Sequence, residues 1–146
     1  MLNSQGLALH NLVAMTVDDI DKFEKVQGQL ESLLSEIAVL AKKSPNDGVN
    51  KFKLNFINKV LKEANNILEK KYIPLDSFSQ FNEDDLPSNS DVTFILSQYL
   101  SCFEKLRADN IKEDRITAGH RSRMGWVWII DDEDAVLETA PPKKLK

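Results

Sequence analysis

One cysteine and two histidines are all that the 146 residues contain of those types. A single thiol closes no internal disulfide, and one cysteine with two histidines lacking ligand spacing builds no zinc site. No apolar run reaches the ~18 residues of a membrane span, so no membrane partner is expected. Nor is there a phosphate-cradling glycine loop of the Walker or dinucleotide type. Asp131-Asp132-Glu133-Asp134 lacks the glycine and the ligand order of a calcium loop, so it reads as an acidic turn. No metal and no cofactor are expected. Positive charge is not in excess either: the net charge is −4, which argues against the whole surface clinging to nucleic acid while leaving local basic patches open. Residues 1–14 contain no charged side chain and lack the basic start of a secretory signal. With Cys102 free, the expected location is the cytoplasm.

What is present is helical periodicity. Over 88–111, Val92, Ile95, Leu96, Tyr99, Leu100, Phe103 and Leu106 fall on one helical stripe, and Ser88 with Asp91 has the form of a capping box. Thr16 with Asp19 repeats that form ahead of Phe23, Val26, Leu30, Leu33, Ile37 and Leu40, which alternate steps of three and four as heptads do. Such a stripe serves an antiparallel hairpin within one chain or a pairing helix between chains, and the internal hairpin is favoured. Asn50 caps a further helix with Phe52, Phe56, Ile57, Val60, Leu61, Ala64, Ile67 and Leu68 on a broad face. Its lysines and asparagines read as a solvated surface.

Two connections carry expectations of their own. The stretch 73–87 is too long for a plain loop, and its Ile73, Leu75, Phe78, Phe81 and Leu86 are expected to anchor it as a buried strap. Gly125-Trp126-Val127-Trp128-Ile129-Ile130 and 135–140 read as two strands around the acidic turn, with Arg115–Ala118 as a possible third. Pro141-Pro142 ends the ribbon.

The expected fold is therefore mainly α, a three-helix bundle with a C-terminal β-hairpin (α+β). Its helices fall over 17–43, 50–72 and 89–112 and its hairpin over 125–140. Residues 1–15 form a flexible N-terminal arm, and 16–146 a single domain. The expected core is Phe23, Leu30, Leu33, Ile37, Phe56, Val60, Ile67, Ile95, Leu96, Tyr99, Phe103 and Leu106.

Candidate chemistry concentrates over 112–126. Lys112, Arg115, His120, Arg121 and Arg123 with Trp126 as a stacking platform have the composition of an anion or nucleic-acid site. The competing reading pairs these arginines with Asp131–Asp134 or with Glu83–Asp85 to fix the hairpin. Cys102 and His120 are the residue types of a thiol nucleophile and its base, but Cys102 belongs to a core helix and lacks an electropositive neighbour.

Arg115 and His120, with four residues between them, resemble the R-x4-H signature of HEPN-type ribonucleases, whose small helical domains dimerise and bring two such pairs together. The resemblance implies metal-independent RNA cleavage, with Arg115 stabilising phosphate charge, His120 serving in acid–base steps, and both residues on a helix. In this chain Ile116 follows the arginine, where the family favours a polar residue.

Three functions remain open. The leading expectation is a non-enzymatic protein–protein interaction or regulatory module that associates with itself as a homodimer or with a partner protein, because a heptad helix, an aromatic strap and a ribbon edge are all pairing surfaces. The alternative is nucleic-acid binding through 112–126, and the third is the HEPN-like ribonuclease.

Overall fold

The computed structural model describes residues 14–132 and 134–143. Three helices precede a small antiparallel sheet: α1 (Val17–Lys43), α2 (Lys51–Tyr72), α3 (Asn89–Asp109), β1 (Ile111–Ala118), β2 (Arg121–Trp128) and β3 (Glu138–Thr139). The chain divides into two compact units. One comprises Lys22–Leu106, and the other Met1–Asp21 with Arg107–Lys146.

Within Lys22–Leu106 the three helices share one core. The α1 stripe buries Phe23, Val26, Leu30 and Ile37, while Leu33 and Leu40 are only half-buried. The Phe23 ring stacks on Phe103 of α3 with centroids 4.9 Å apart. Asn50 caps α2 by accepting a hydrogen bond from the Lys53 N–H at 2.9 Å, which satisfies one of the orphan donors of a helix start. From there α2 buries Leu54, Ile57, Val60, Leu61, Ala64 and Leu68. On α3, Val92, Ile95, Leu96, Tyr99 and Phe103 are buried.

Two expected core residues of α2 fall elsewhere. Phe56 is 44% exposed, and its neighbour on the same stripe, Phe52, is 85% exposed. The inward seam passes through Leu54, Leu61 and Leu68, seven residues apart, which turns positions 52 and 56 toward the opposite side of the helix at 100° per residue. Ile67, flanking the seam, is half-buried.

The strap runs across this unit as the aromatic residues required, but two asparagines of α2 hold it. The Asn58 Nδ2 donates to the Phe81 carbonyl, and Asn58 Oδ1 accepts from the Phe81 N–H, both at 2.9 Å. One turn pair further on, Asn65 Nδ2 donates to the Ser79 carbonyl at 2.9 Å while its Oδ1 accepts from the Tyr99 hydroxyl at 2.7 Å. Phe81 is buried and Phe78 stands edge-on to it with centroids 5.0 Å apart. The outer anchors Leu75 and Leu86 are exposed instead of buried. Leu86 sits at the tight crossing with Gly48, where its backbone has a positive φ of 44°.

In the second unit, Thr16 and Asp19 form the complete reciprocal box: each side chain accepts from the other's N–H at 3.0 Å. Of the expected arm, residues 1–13 lie outside the described residues. Met15 belongs to the fold, because it bridges Ile130 in parallel and its carbonyl accepts from the Asp131 N–H.

The sheet corrects the expected strand boundaries. Its order is β1-β2-β3, and the main hairpin pairs β1 with β2 from Ile111↔Trp128 to Ala118↔Arg121. The turn is therefore Gly119-His120 and not the acidic run, which belongs to the connection between β2 and β3. Gly119 has φ +64°, and His120 is not among the positive-φ residues. This is the II′ geometry in which glycine takes the first central position. Because β1 starts at Ile111, α3 ends at Asp109 and not at 112. The 135–140 strand shrinks to Glu138–Thr139, which pair with Val127 and Trp126.

Candidate functional site

The six candidate residues all fall on the β1–β2 hairpin or its turn, but the pleat divides them. Directly paired residues share a face of a sheet and alternate along each strand. Arg115 and Trp126 therefore lie on one face with Glu113 and Met124, while Lys112, Arg121 and Arg123 lie on the other with Asp114 and Ile116. His120 occupies the turn. No single surface collects the set.

Most of the cations have local partners. The Arg123 Nη2 donates to both carboxylate oxygens of Glu138, at 2.9 and 2.8 Å. Lys112 Nζ lies 3.8 Å from Asp114. The Arg115 guanidinium donates to Ser122 Oγ at 3.1 Å. The arginine ties anticipated from Asp131–Asp134 thus come, for Arg123, from Glu138. Gly125 makes room for this arrangement: a Cβ there would meet Ile116 Cδ1 at 2.6 Å and Arg123 Nη1 at 3.0 Å. These ion pairs are all exposed and of small energetic weight, typically ~0–1 kcal/mol.

Arg115 lies on a strand, and His120 in a turn, not on the helix that the R-x4-H resemblance implies. The hydrogen bonds of Arg115 go to Asp114 and Ser122 and not to His120.

Arg107 is the residue whose role the sequence concealed. It is 4% exposed, and its guanidinium grips the segment that carries β3. Nη1 donates to Thr139 Oγ1 at 2.8 Å and to the Ala140 carbonyl at 2.6 Å, and Nη2 to the Pro141 carbonyl at 3.0 Å. A lysine there offers no planar fork to span three acceptors. Its only sequence signal is a basic residue in the last turn of α3, which reads equally as a dipole partner.

The hairpin itself is the conspicuous feature. From Lys112 to Met124 every strand residue except Ile116 is exposed, on both faces. The two-residue turn makes Ala118↔Arg121 a hydrogen-bonded pair, and the alternation then leaves the N–H and C=O of Glu113, Arg115 and Thr117 pointing away from β2. The Ile129 N–H bonding the Asn110 carbonyl at 2.8 Å, and the Trp128 N–H bonding Leu137 and not β1, fit the same alternation. Along that outer edge, among the described residues, the one backbone hydrogen bond is from the Arg115 N–H to its neighbour's Asp114 Oδ1 at 2.8 Å.

Other features offer less. A cavity of about 310 Å³ lies beside the start of α2, lined by Lys43, Asp47, Asn50, Lys53 and Asn89 among others. Lys53 there is already paired with Glu36 at 3.0 Å. Burial pushes the Cys102 thiol above its usual range, the opposite of an activated nucleophile. Among the described residues, no three His, Cys, Asp or Glu side chains gather as a metal set, and no helix is long and apolar enough to cross a membrane. No protein-family model matches this chain, and neither does any curated protein or any solved structure.

Proposed function

We propose that this chain is a non-enzymatic interaction module of the cytoplasm that docks a partner protein along the outer edge of β1. The observation that carries the reading is that edge: eight residues, Ile111–Ala118, with outward backbone groups at Glu113, Arg115 and Thr117 and, among the described residues, no strand beside them. An unpaired edge of this length is a template for strand addition, in which main-chain hydrogen bonds supply affinity and alternate side chains supply selectivity. The anchoring of β3 by Arg107 leaves β1, and not β2, as the long open side.

The test is a photo-crosslinking residue placed at Thr117, whose N–H points outward, compared with one at exposed Phe52 on α2. A discrete adduct from position 117 that is absent from position 52 supports the reading. Equal adduct patterns from both positions, or none from 117, remove it.

A second reading has its own observation. From Arg115 to Met124 the hairpin carries three arginines and His120 and no carboxylate, and a two-stranded ribbon has the width to enter a DNA major groove. Binding to short RNA or DNA that weakens steeply with salt, and is lost in an Arg121→Ala/Arg123→Ala variant, replaces the first reading with this one. Flat or absent binding removes it.

A further inference from the structure

Resting on the edge-docking reading, we infer that the partner on β1 is a second copy of this chain, joined antiparallel, β1 to β1, in the register that sets Glu113 opposite the other copy's Arg115. Two constraints select this arrangement. The first is backbone parity. Only Glu113, Arg115, Thr117 and Ile111 turn their N–H and C=O outward, so a symmetric antiparallel partner must set odd-numbered residues against odd-numbered ones. Registers that oppose odd to even residues leave the outward groups unmatched.

The second constraint is charge. Four symmetric registers that align five or more residues satisfy the parity, centred on residue 113, 114, 115 or 116; the last aligns only the five residues 114–118 and sets Arg115 opposite Thr117, so it forms no charge pair. Centring on Arg115 opposes two arginines at the axis, and like charges directly opposite are unfavourable. Centring on Glu113 opposes two glutamates and aligns only the five residues 111–115 of each strand. Centring on Asp114 aligns the seven residues 111–117 and forms the Glu113–Arg115 pair twice. The two Asp114 side chains that then meet at the axis are each flanked by a Lys112, which already lies 3.8 Å from Asp114 within one chain. Charge on an edge strand ordinarily discourages pairing, but in this register the outward-bonding residues Glu113 and Arg115 meet as opposite charges at two places.

Association needs one local change. The Asp114 carboxylate, which now accepts from the Arg115 N–H, swings aside so that this N–H meets the Glu113 carbonyl of the other copy. That makes Asp114 a stopper on the free edge. Seven paired residues amount to less than a standard stable interface, so the pair exchanges and depends on concentration.

Sedimentation velocity from about 1 µM to about 1 mM reads this directly, with circular dichroism confirming that each variant is folded. The wild type moves from monomer to dimer over that range. Thr117→Pro, which deletes an outward N–H and leaves the β1–β2 ladder intact, remains monomeric. Glu113→Arg alone and Arg115→Glu alone remain monomeric, because each opposes like charges twice. Mixing those two variants restores a dimer, as does the double exchange Glu113→Arg/Arg115→Glu within one chain. A wild type that is monomeric throughout overturns the inference. So does a dimer that the single charge variants leave unchanged. Either result leaves the wider docking reading to the crosslink at position 117, which still detects a different partner.

Discussion

The carboxamide of Asn58 treats the backbone of Phe81 as one strand treats another, donating to its carbonyl and accepting from its N–H, each at 2.9 Å across 23 residues of sequence. Asn58 is 5% exposed, so this buried pair of hydrogen bonds fixes where the strap crosses α2. Replacing it with alanine leaves two backbone groups without partners in a dry setting, at roughly 1–3 kcal/mol for each group. Asn58→Ala is expected to lower stability by about 2–4 kcal/mol in urea unfolding. A loss below ~0.5 kcal/mol contradicts the assigned role.

Two glycines predict effects of opposite sign. A Cβ on Gly48 would lie 2.9 Å from the Leu86 carbonyl oxygen, which is backbone and cannot swing away, whereas a Cβ on Gly28 of α1 meets nothing within 4 Å. Gly48→Ala is expected to cost about 1–3 kcal/mol through overpacking. Gly28→Ala is expected to add about 0.5–1 kcal/mol, because alanine loses less backbone freedom in a helix. Thermal melts of both variants check the pair of signs.

Alkaline pH is expected to weaken the fold. Burial raises the Cys102 thiol and the Tyr99 hydroxyl above their ordinary values. The unfolded chain therefore releases these protons first as pH rises. The stabilisation is fully present below the unfolded values and is lost as pH passes through the folded ones. Urea midpoints measured at pH 7, 9 and 10 should fall, and Cys102→Ala should fall less steeply. Identical slopes for the two proteins contradict the assignment to Cys102.

Much of the fold was legible in the residues because the helices bury single stripes. The Phe23 to Ile37 and Val92 to Leu106 stripes, the Thr16, Asn50 and Ser88 caps and the buried Phe81 all follow from spacing and capping chemistry. The hairpin was half legible. Val127 and Trp128 are buried and read as strand, but β1 is exposed along most of its length. A strand wet on both faces has no apolar alternation, and Lys112-Glu113-Asp114 suits a helix as well as a strand. The acidic run is then the stronger turn signal in the sequence, although the chain turns at Gly119-His120. Asn58 and Asn65 stand among the lysines of α2. Their seven-residue spacing, beside the seven-residue spacing of Leu54, Leu61 and Leu68, is the one sign that they face inward. Arg107 has no such sign, because its acceptors lie 32 to 34 residues away.

The candidate site rests on β1 having an open side, and amide hydrogen exchange by NMR in dilute, monomeric protein measures that side most directly. Lys112, Asp114 and Ile116, whose N–H groups face β2, should exchange slowly. Glu113 and Thr117 should exchange at close to the rate of free peptide, with Arg115 slowed only by its bond to Asp114. That alternation along one strand is the result expected of an edge waiting for a partner. Uniform protection from 112 to 117 in the monomer would mean that the edge is already covered within the chain, and the docking reading would fall with it.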